Sequence, residues 1–111
     1  MVILAVDSCP KDLETLTHAL EEVYAGEQIV SFTHPLLAVK YVANSSIDLA
    51  YIRFEMKVDG LELSNLMRKV CPGIQAILIV SDEAACPQAI RKGICEIVIY
   101  PITAAKIKHT N

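Results

Sequence analysis

The sequence predicts an α/β fold in which a doubly wound parallel sheet of five strands carries helices on both faces. Short apolar segments of strand length alternate along the chain with segments of helical spacing, the pattern of parallel strands joined by right-handed crossover helices. Apolar residues make up 53% of the chain, a high share that suits strands buried on both faces. The length of 111 residues predicts a single domain over 1–111.

The first half of the chain supplies two strands and two helices. Val2–Val6 is a continuous apolar strand, and Pro10 suits the first position of a helix that runs to Tyr24. Gln28–Phe32 is a second short strand, and a second helix covers Pro35–Ala43. The residues expected to face the core from these helices are Leu13, Leu16, Leu20, Val23, Leu36, Val39 and Val42.

The segment 48–63 (DLAYIRFEMKVDGLEL) changes from strand to helix. A β-prone apolar run that is too short for a helix is formed by Leu49, Ala50, Tyr51, Ile52 and Phe54. The pattern breaks at Lys57–Gly60 and then resumes with helical spacing, at Leu61, Leu63, Leu66, Met67 and Val70. A third strand, a loop and a third helix follow from this change of period.

The remaining residues predict two more strands and two more helices. Gln75–Val80 is a fourth strand, and the helix expected over Asp82–Lys92 is interrupted by Pro87. Glu96–Tyr100 is a fifth strand, and Thr103–Thr110 is long enough for about two helical turns. The last helix is therefore short.

The expected strand order is 2-1-3-4-5, the flavodoxin-like order. In such sheets the functional crevice lies outside the carboxyl ends of the strands, at the point where the order reverses. Here that point falls between strands 1 and 3, which end at Asp7 and Arg53.

Three separated segments of the chain resemble the receiver domain of two-component response regulators. The segment Ile3–Pro10 is similar to the family's "ILAVDDEP", and Tyr100–Ile107 is similar to "KPITAEKI". Between them, Glu55-Met56 and Asp59–Leu63 match the family's loop "EMPGMDGLEL", with one residue fewer between the two matches. The resemblance implies the flavodoxin-like fold, a cis peptide bond before Pro101 and a part in signal transduction.

The same resemblance implies that the phosphorylation site is degenerate. A receiver uses two acids after strand 1 and an acceptor aspartate after strand 3 to hold Mg²⁺, with a hydroxyl after strand 4 and a lysine after strand 5. This chain keeps the first acid as Asp7 and the hydroxyl as Ser81. The second acid, the acceptor, the lysine and the switch aromatic correspond to Ser8, Arg53, Tyr100 and Ile97. We therefore expect a pseudo-receiver that is not phosphorylated, is not an enzyme and uses no metal or cofactor.

The crevice residues also have purely structural explanations. Asp7 can form an ion pair with Arg53 across adjacent strands, which leaves about one acid against one guanidinium. Ser81 can cap a turn, and Tyr100 can pack its ring at the sheet edge with its hydroxyl in water. Cys9, near the start of the first helix, is either a reactive thiol or a small residue that fills a loop.

Two functions from different classes remain open. The first is a signalling module that contacts a protein partner, or a second copy, through the fourth helix, fifth strand and last helix. One example of such a module is the N-terminal regulatory part of a transcription regulator. Apolar surface is expected there from Ile97, Ile99 and Ile102. The alternative is a small-ligand or anion sensor that uses Arg53, Ser8, Ser81 and the start of the first helix.

Composition narrows the setting in which either function operates. The net charge of −3 gives no basic footprint for nucleic acid, and no apolar run approaches the length of a membrane span. The four cysteines show neither CxxC nor zinc spacing, so all four are expected as free thiols of a cytoplasmic protein.

Overall fold

The computed structural model describes residues 1–81 and 96–109 of the chain. Five strands form one sheet in which every neighbouring pair is parallel, in the order β2-β1-β3-β4-β5. This confirms the predicted flavodoxin-like architecture. The strands are β1 (Val2–Val6), β2 (Gln28–Phe32), β3 (Leu49–Arg53), β4 (Gln75–Val80) and β5 (Glu96–Ile99).

Four helices are described, and their positions follow the predicted pattern closely. They are α1 (Pro10–Val23), α2 (Pro35–Ala43), α3 (Gly60–Val70) and a short C-terminal helix (Ala104–Lys108). The helix predicted over Asp82–Lys92 lies outside the described residues. No helix in the described ranges has the length and apolar character needed to cross a membrane.

The core has two layers, one on each face of the sheet. Helix α1 and the C-terminal helix cover one face, where Leu16, Leu20 and Ile107 pack against strand residues such as Tyr51. Helices α2 and α3 cover the other face through the buried side chains Ala38, Val42, Leu63 and Met67. Helices on both faces are thus confirmed.

Some apolar helix residues face solvent, contrary to expectation. Leu36 is 69% exposed, because Ala38 and Val42 turn toward the sheet and Leu36 lies about 200° around the helix from Ala38. In α3, Leu66 and Val70 are also exposed, while Leu63 and Met67 are fully buried. Helices with apolar residues on several sides do not reveal their buried face from composition alone.

The strand register brings the predicted site residues to one edge of the sheet. Val6 pairs with Ile52, so Asp7 and Arg53 lie at the ends of neighbouring strands. Val80 pairs with Ile99, which sets Ser81 beside Tyr100. The peptide bond between Tyr100 and Pro101 is cis, as the resemblance implies.

Candidate functional site

Arg53 is at the centre of the site, where its guanidinium faces three carboxylates. Nη1 lies 3.6 Å from Oδ2 of Asp7 and 3.4 Å from Oδ2 of Asp12, and Nε donates to Oε1 of Glu55 at 3.1 Å. Its side chain is only 15% exposed. The predicted Asp7–Arg53 ion pair is present, but it is one of three.

A hydroxyl and an aromatic ring complete the surroundings of the guanidinium. Nη2 of Arg53 donates to Oγ of Ser81 at 3.3 Å. The ring of Tyr100 lies under the guanidinium, with 4.3 Å between Cζ of Arg53 and the ring centroid, which is a cation–π geometry. The backbone amide of Ser81 donates to the second carboxylate oxygen of Glu55 at 2.9 Å, which holds Glu55 in place.

Asp7 is the most deeply buried charged group of the site. The residue is 2% exposed, and its Oδ1 accepts a hydrogen bond from the amide of Cys9 at 3.0 Å. Its Oδ2 has no hydrogen-bond partner among the described residues, since 3.6 Å to Arg53 is an ion-pair distance and too long for a hydrogen bond. Burial raises the pKa of Asp7 above its ordinary value, although the Cys9 amide and Arg53 act in the opposite direction.

Arg53 and Glu55 shift in the directions expected of a bonded ion pair. Burial by itself lowers the pKa of Arg53, but the hydrogen bond with Glu55 and the charge of Asp7 outweigh it, so the pKa lies above the ordinary value. Burial by itself raises the pKa of Glu55, yet bonds from Ser81 and Arg53 bring it below the ordinary value. Arg53 and Glu55 therefore stay charged at neutral pH.

Tyr100 differs from the sequence-based expectation. Its hydroxyl was expected in water, but the oxygen is buried and has no hydrogen-bond partner among the described residues. Burial, followed by the charge of Asp12, raises the pKa of Tyr100 to about 12. The hydroxyl is buried because the Tyr100 ring stacks on the Arg53 guanidinium and therefore lies over the crevice.

The structure brings four of the predicted site residues together: Asp7, Arg53, Ser81 and Tyr100. Ser8 is exposed and lines a neighbouring cavity. Ile97 is half-buried on β5, where it packs against the core layer of α2 and α3. The predicted set is therefore one cluster with two residues outside it.

Sequence reasoning missed Asp12 and Glu55 as site residues. Both were visible in the sequence: Asp12 as an acid in the first turn of α1, and Glu55 as part of the matched loop. The available signal was their placement. Helix α1 begins just after β1, and Glu55 lies two residues beyond Arg53, so both acids emerge at the same sheet edge as the guanidinium.

The residues present do not fit a magnesium ion. Arg53 places its guanidinium among the acids, and in the described ranges no three His, Cys, Asp or Glu side chains are arranged to hold a metal ion. The expected balance of one acid against one guanidinium was wrong, because three carboxylates approach Arg53. The guanidinium that already lies among the acids occupies the place that a metal ion would need.

Comparison with solved structures places the fold among response-regulator receiver domains. The response regulator TrrA from Thermotoga maritima, solved with Mg²⁺ and BeF, superposes with a TM-score of 0.82 at 25% identity, covering 97% of this chain and 93% of that one. A CheY-like receiver domain protein from Methanospirillum hungatei gives 0.80 at 18% identity, with 97% and 87% covered. The chemotaxis protein CheY4 from Vibrio cholerae gives 0.81 at 16% identity, with 98% and 93% covered.

Similarity of sequence is weaker than similarity of fold. No family model matches the chain, and no curated protein matches it. The likeness to solved structures shows that the chain has the fold of a signal-transduction receiver domain.

Proposed function

We propose that this chain is a phosphorylation-independent receiver-like module that signals through protein–protein contact. The observation that carries the proposal is Arg53, which stands where the resemblance puts the phospho-acceptor and is held by Asp7, Asp12 and Glu55. A protonated guanidinium is not a phosphoryl acceptor at neutral pH. The module is not an enzyme, and it operates in the cytoplasm.

Arg53 supplies in cis the positive charge that a receiver takes from a metal ion. It ties together residues from the end of β3, the first turn of α1 and the turn after β4. Removing any one partner would leave a charge or hydrogen-bonding group of this cluster without full compensation. The contacts therefore favour a single arrangement of these loops. A module of this kind presents one fixed surface, without a phosphorylation switch.

The anion-sensor alternative is weaker at this cluster. Three carboxylates and one guanidinium leave a net negative charge when all are ionised, and that charge repels an anion. Arg53 also has its Nε and both terminal nitrogens engaged, by Glu55, by the two aspartates and by Ser81. Binding an anion at Arg53 would require breaking these contacts.

The contact surface we propose lies along β5, next to the C-terminal helix. A groove of about 560 Å³ runs there between the outer strand and the helix, lined by Glu96, Ile97, Val98, Ile99, Lys106 and His109. Ile97 and Ile99 are half-buried and offer apolar area, while Ile102 is 7% exposed and does not contribute as expected. The occupant we propose is a protein partner or a second copy of the chain. The proposal includes the case in which this chain is the N-terminal regulatory part of a transcription regulator.

Treatment with acetyl phosphate and Mg²⁺ tests the proposal. We expect the intact mass to stay unchanged, and ¹⁹F NMR with beryllofluoride and Mg²⁺ to show no bound signal. Arg53→Asp should not fully restore the reaction, because Ser8 and Tyr100 still replace the second acid and the lysine. A stoichiometric phospho-adduct on any crevice residue of the unmodified chain would overturn the proposal.

A further inference from the structure

A second cavity lies beside the Arg53 cluster, outside the carboxyl ends of β1, β2 and β3. Its volume is about 490 Å³, within the range of about 300–1,000 Å³ typical of small-molecule sites. The loop that is one residue shorter than the family pattern lines this cavity with Met56, Lys57 and Val58. Neither the degenerate phosphorylation site nor the β5 surface accounts for this cavity.

The walls of the cavity are mainly apolar. Pro10 and Pro35, at the first positions of α1 and α2, form one side, and Met56 and Val58 form another. Met56 and Val58 are half-buried against the core layer of α2 and α3, so this side is backed by packed residues. Such walls favour the apolar body of a ligand over a bare inorganic ion.

The charge at the cavity is opposite in sign to that of the whole chain. Among the described residues that line it, Lys57 and His34 are the ionisable ones, and none is an acid. Lys57 makes no ion pair within residues 1–81 and 96–109, although the chain carries a net charge of −3. Ser8 and Thr33 add hydroxyls that can donate to an oxygen.

We propose that this cavity binds a small organic anion, a carboxylate on an aromatic or branched aliphatic body. The carboxylate lies toward Lys57, with the hydroxyls of Ser8 and Thr33 as further donors, and the apolar body packs between Met56, Val58 and the two prolines. The starts of α1 and α2 add potential of the same sign, without identifying a ligand. This site shares Ser8 and the start of α1 with the Arg53-centred sensor discussed above, but it does not use Arg53 or Ser81. It also does not depend on whether the chain is phosphorylated.

Phenylacetate is the probe for the test, with phenylacetamide as its neutral counterpart and inorganic phosphate as the anion without a body. Titrations of ¹⁵N-labelled protein should give a Kd of about 1 mM for phenylacetate, as its size allows. Amide signals of Ser8, Thr33, Lys57 and Val58 should move, while those of the β5 groove stay in place. Phenylacetamide and phosphate should each bind at least about fivefold more weakly.

A matched pair of variants separates a site from a general charge effect. Lys57→Met should weaken phenylacetate about fivefold. Lys69→Met removes an exposed lysine about 15 Å away, at the other end of α3, and should leave the Kd unchanged. Equal binding of phenylacetamide would overturn the anion assignment, and equal binding of phosphate would overturn the apolar one. No shifts at the cavity up to about 20 mM, or equal loss in both variants, would overturn the site itself.

Discussion

At the scale of single residues, the crevice depends on one guanidinium that faces three carboxylates. Asp7 is almost fully buried, while Asp12 and Glu55 retain contact with solvent. The buried partner therefore carries most of the cost when Arg53 is lost, because water can still screen the other two. Within this cluster, replacing Arg53 should therefore lower the stability of the fold the most.

Arg53→Met should lower the free energy of unfolding by about 3 kcal/mol, since it leaves Asp7 buried without a countercharge. Urea unfolding at pH 7 measures this. The double variant Arg53→Met/Asp7→Asn should recover at least about 1 kcal/mol of the loss, because the unpaired buried charge is gone. A single variant as stable as the wild type would show that the cluster contributes nothing to the fold.

Tyr100→Phe should be neutral or stabilise the protein by about 1 kcal/mol at pH 7. It removes a buried hydroxyl that has no hydrogen-bond partner among the described residues and keeps the ring over Arg53. Tyr100→Leu, which also loses the cation–π contact, should be less stable than Tyr100→Phe. A clear loss of stability in Tyr100→Phe would indicate a hydrogen bond at that oxygen.

The stability difference between Tyr100→Phe and the wild type should also depend on pH. The pKa of Tyr100 is raised from 10.0 to about 12 in the folded protein. The stability that depends on the protonated hydroxyl is therefore fully present below pH 10, and it is lost as the pH rises toward 12. Tyr100→Phe lacks this loss, and its advantage over the wild type should grow between pH 10 and 11. A constant difference over that interval would contradict the raised pKa.

The residues of the site were predictable only in part. Asp7, Arg53, Ser81 and Tyr100 follow from the ends of the strands and from the matched motifs. Asp12 and Glu55 escaped because each also has an ordinary role, as a first-turn helix acid and as a loop residue. The burial of the Tyr100 hydroxyl depends on where the Arg53 side chain lies, which no local pattern encodes.

At the scale of elements, the junction between β3 and α3 is closely packed. The amide of Gly60 donates to the carbonyl of Phe54 at 3.1 Å, and Asp59 caps the helix by accepting from the amides of Leu61 and Glu62. A Cβ on Gly60 would come within 2.7 Å of Cα of Phe54 and would also collide with the carbonyl oxygen of Arg53. Helix α3 therefore begins against the strand end that carries the guanidinium.

Gly60→Ala should cost about 1–3 kcal/mol of stability, because the added methyl group meets backbone that cannot move aside cheaply. Gly73→Ala is the matched control: no atom lies within 4 Å of its added Cβ, so it should be neutral or slightly stabilising. Thermal unfolding of the two variants makes the comparison. Equal Tm values would mean that the junction relaxes freely.

The elements themselves were predictable from the pattern of apolar residues. Strands β1, β2 and β4 have the predicted bounds, because each is a short, mainly apolar run with polar or turn residues around it. The face of α2 was not predictable, since PLLAVKYVA is apolar on most sides and only the position of the sheet selects Ala38 and Val42.

At the scale of the whole molecule, the order of the strands places two different surfaces at opposite sides of the sheet. The cavity with Lys57 lies near β1, β2 and β3, while the β5 groove lies at the outer strand. A ligand at the first and a protein at the second would not compete for the same residues.

Self-association is the prediction at this scale. Sedimentation at high micromolar concentration should detect a dimer through the β5 surface, and Ile97→Gln should weaken it by reducing the apolar area there. Leu36→Gln, an equal change at a residue of α2 that is 69% exposed, should leave the dimer intact. Purely monomeric protein at all concentrations would count against a homodimer and leave a different protein as the partner.

The contact of Lys106 with β5 limits the form that such an assembly can take. Its ammonium nitrogen donates to the carbonyl oxygen of Ile99 at 2.7 Å, so a side chain already occupies an acceptor near the end of β5. A copy that added itself as a further strand would have to displace this lysine from the edge. We therefore expect two copies to meet through their side chains, with the two sheets remaining separate across the symmetry axis.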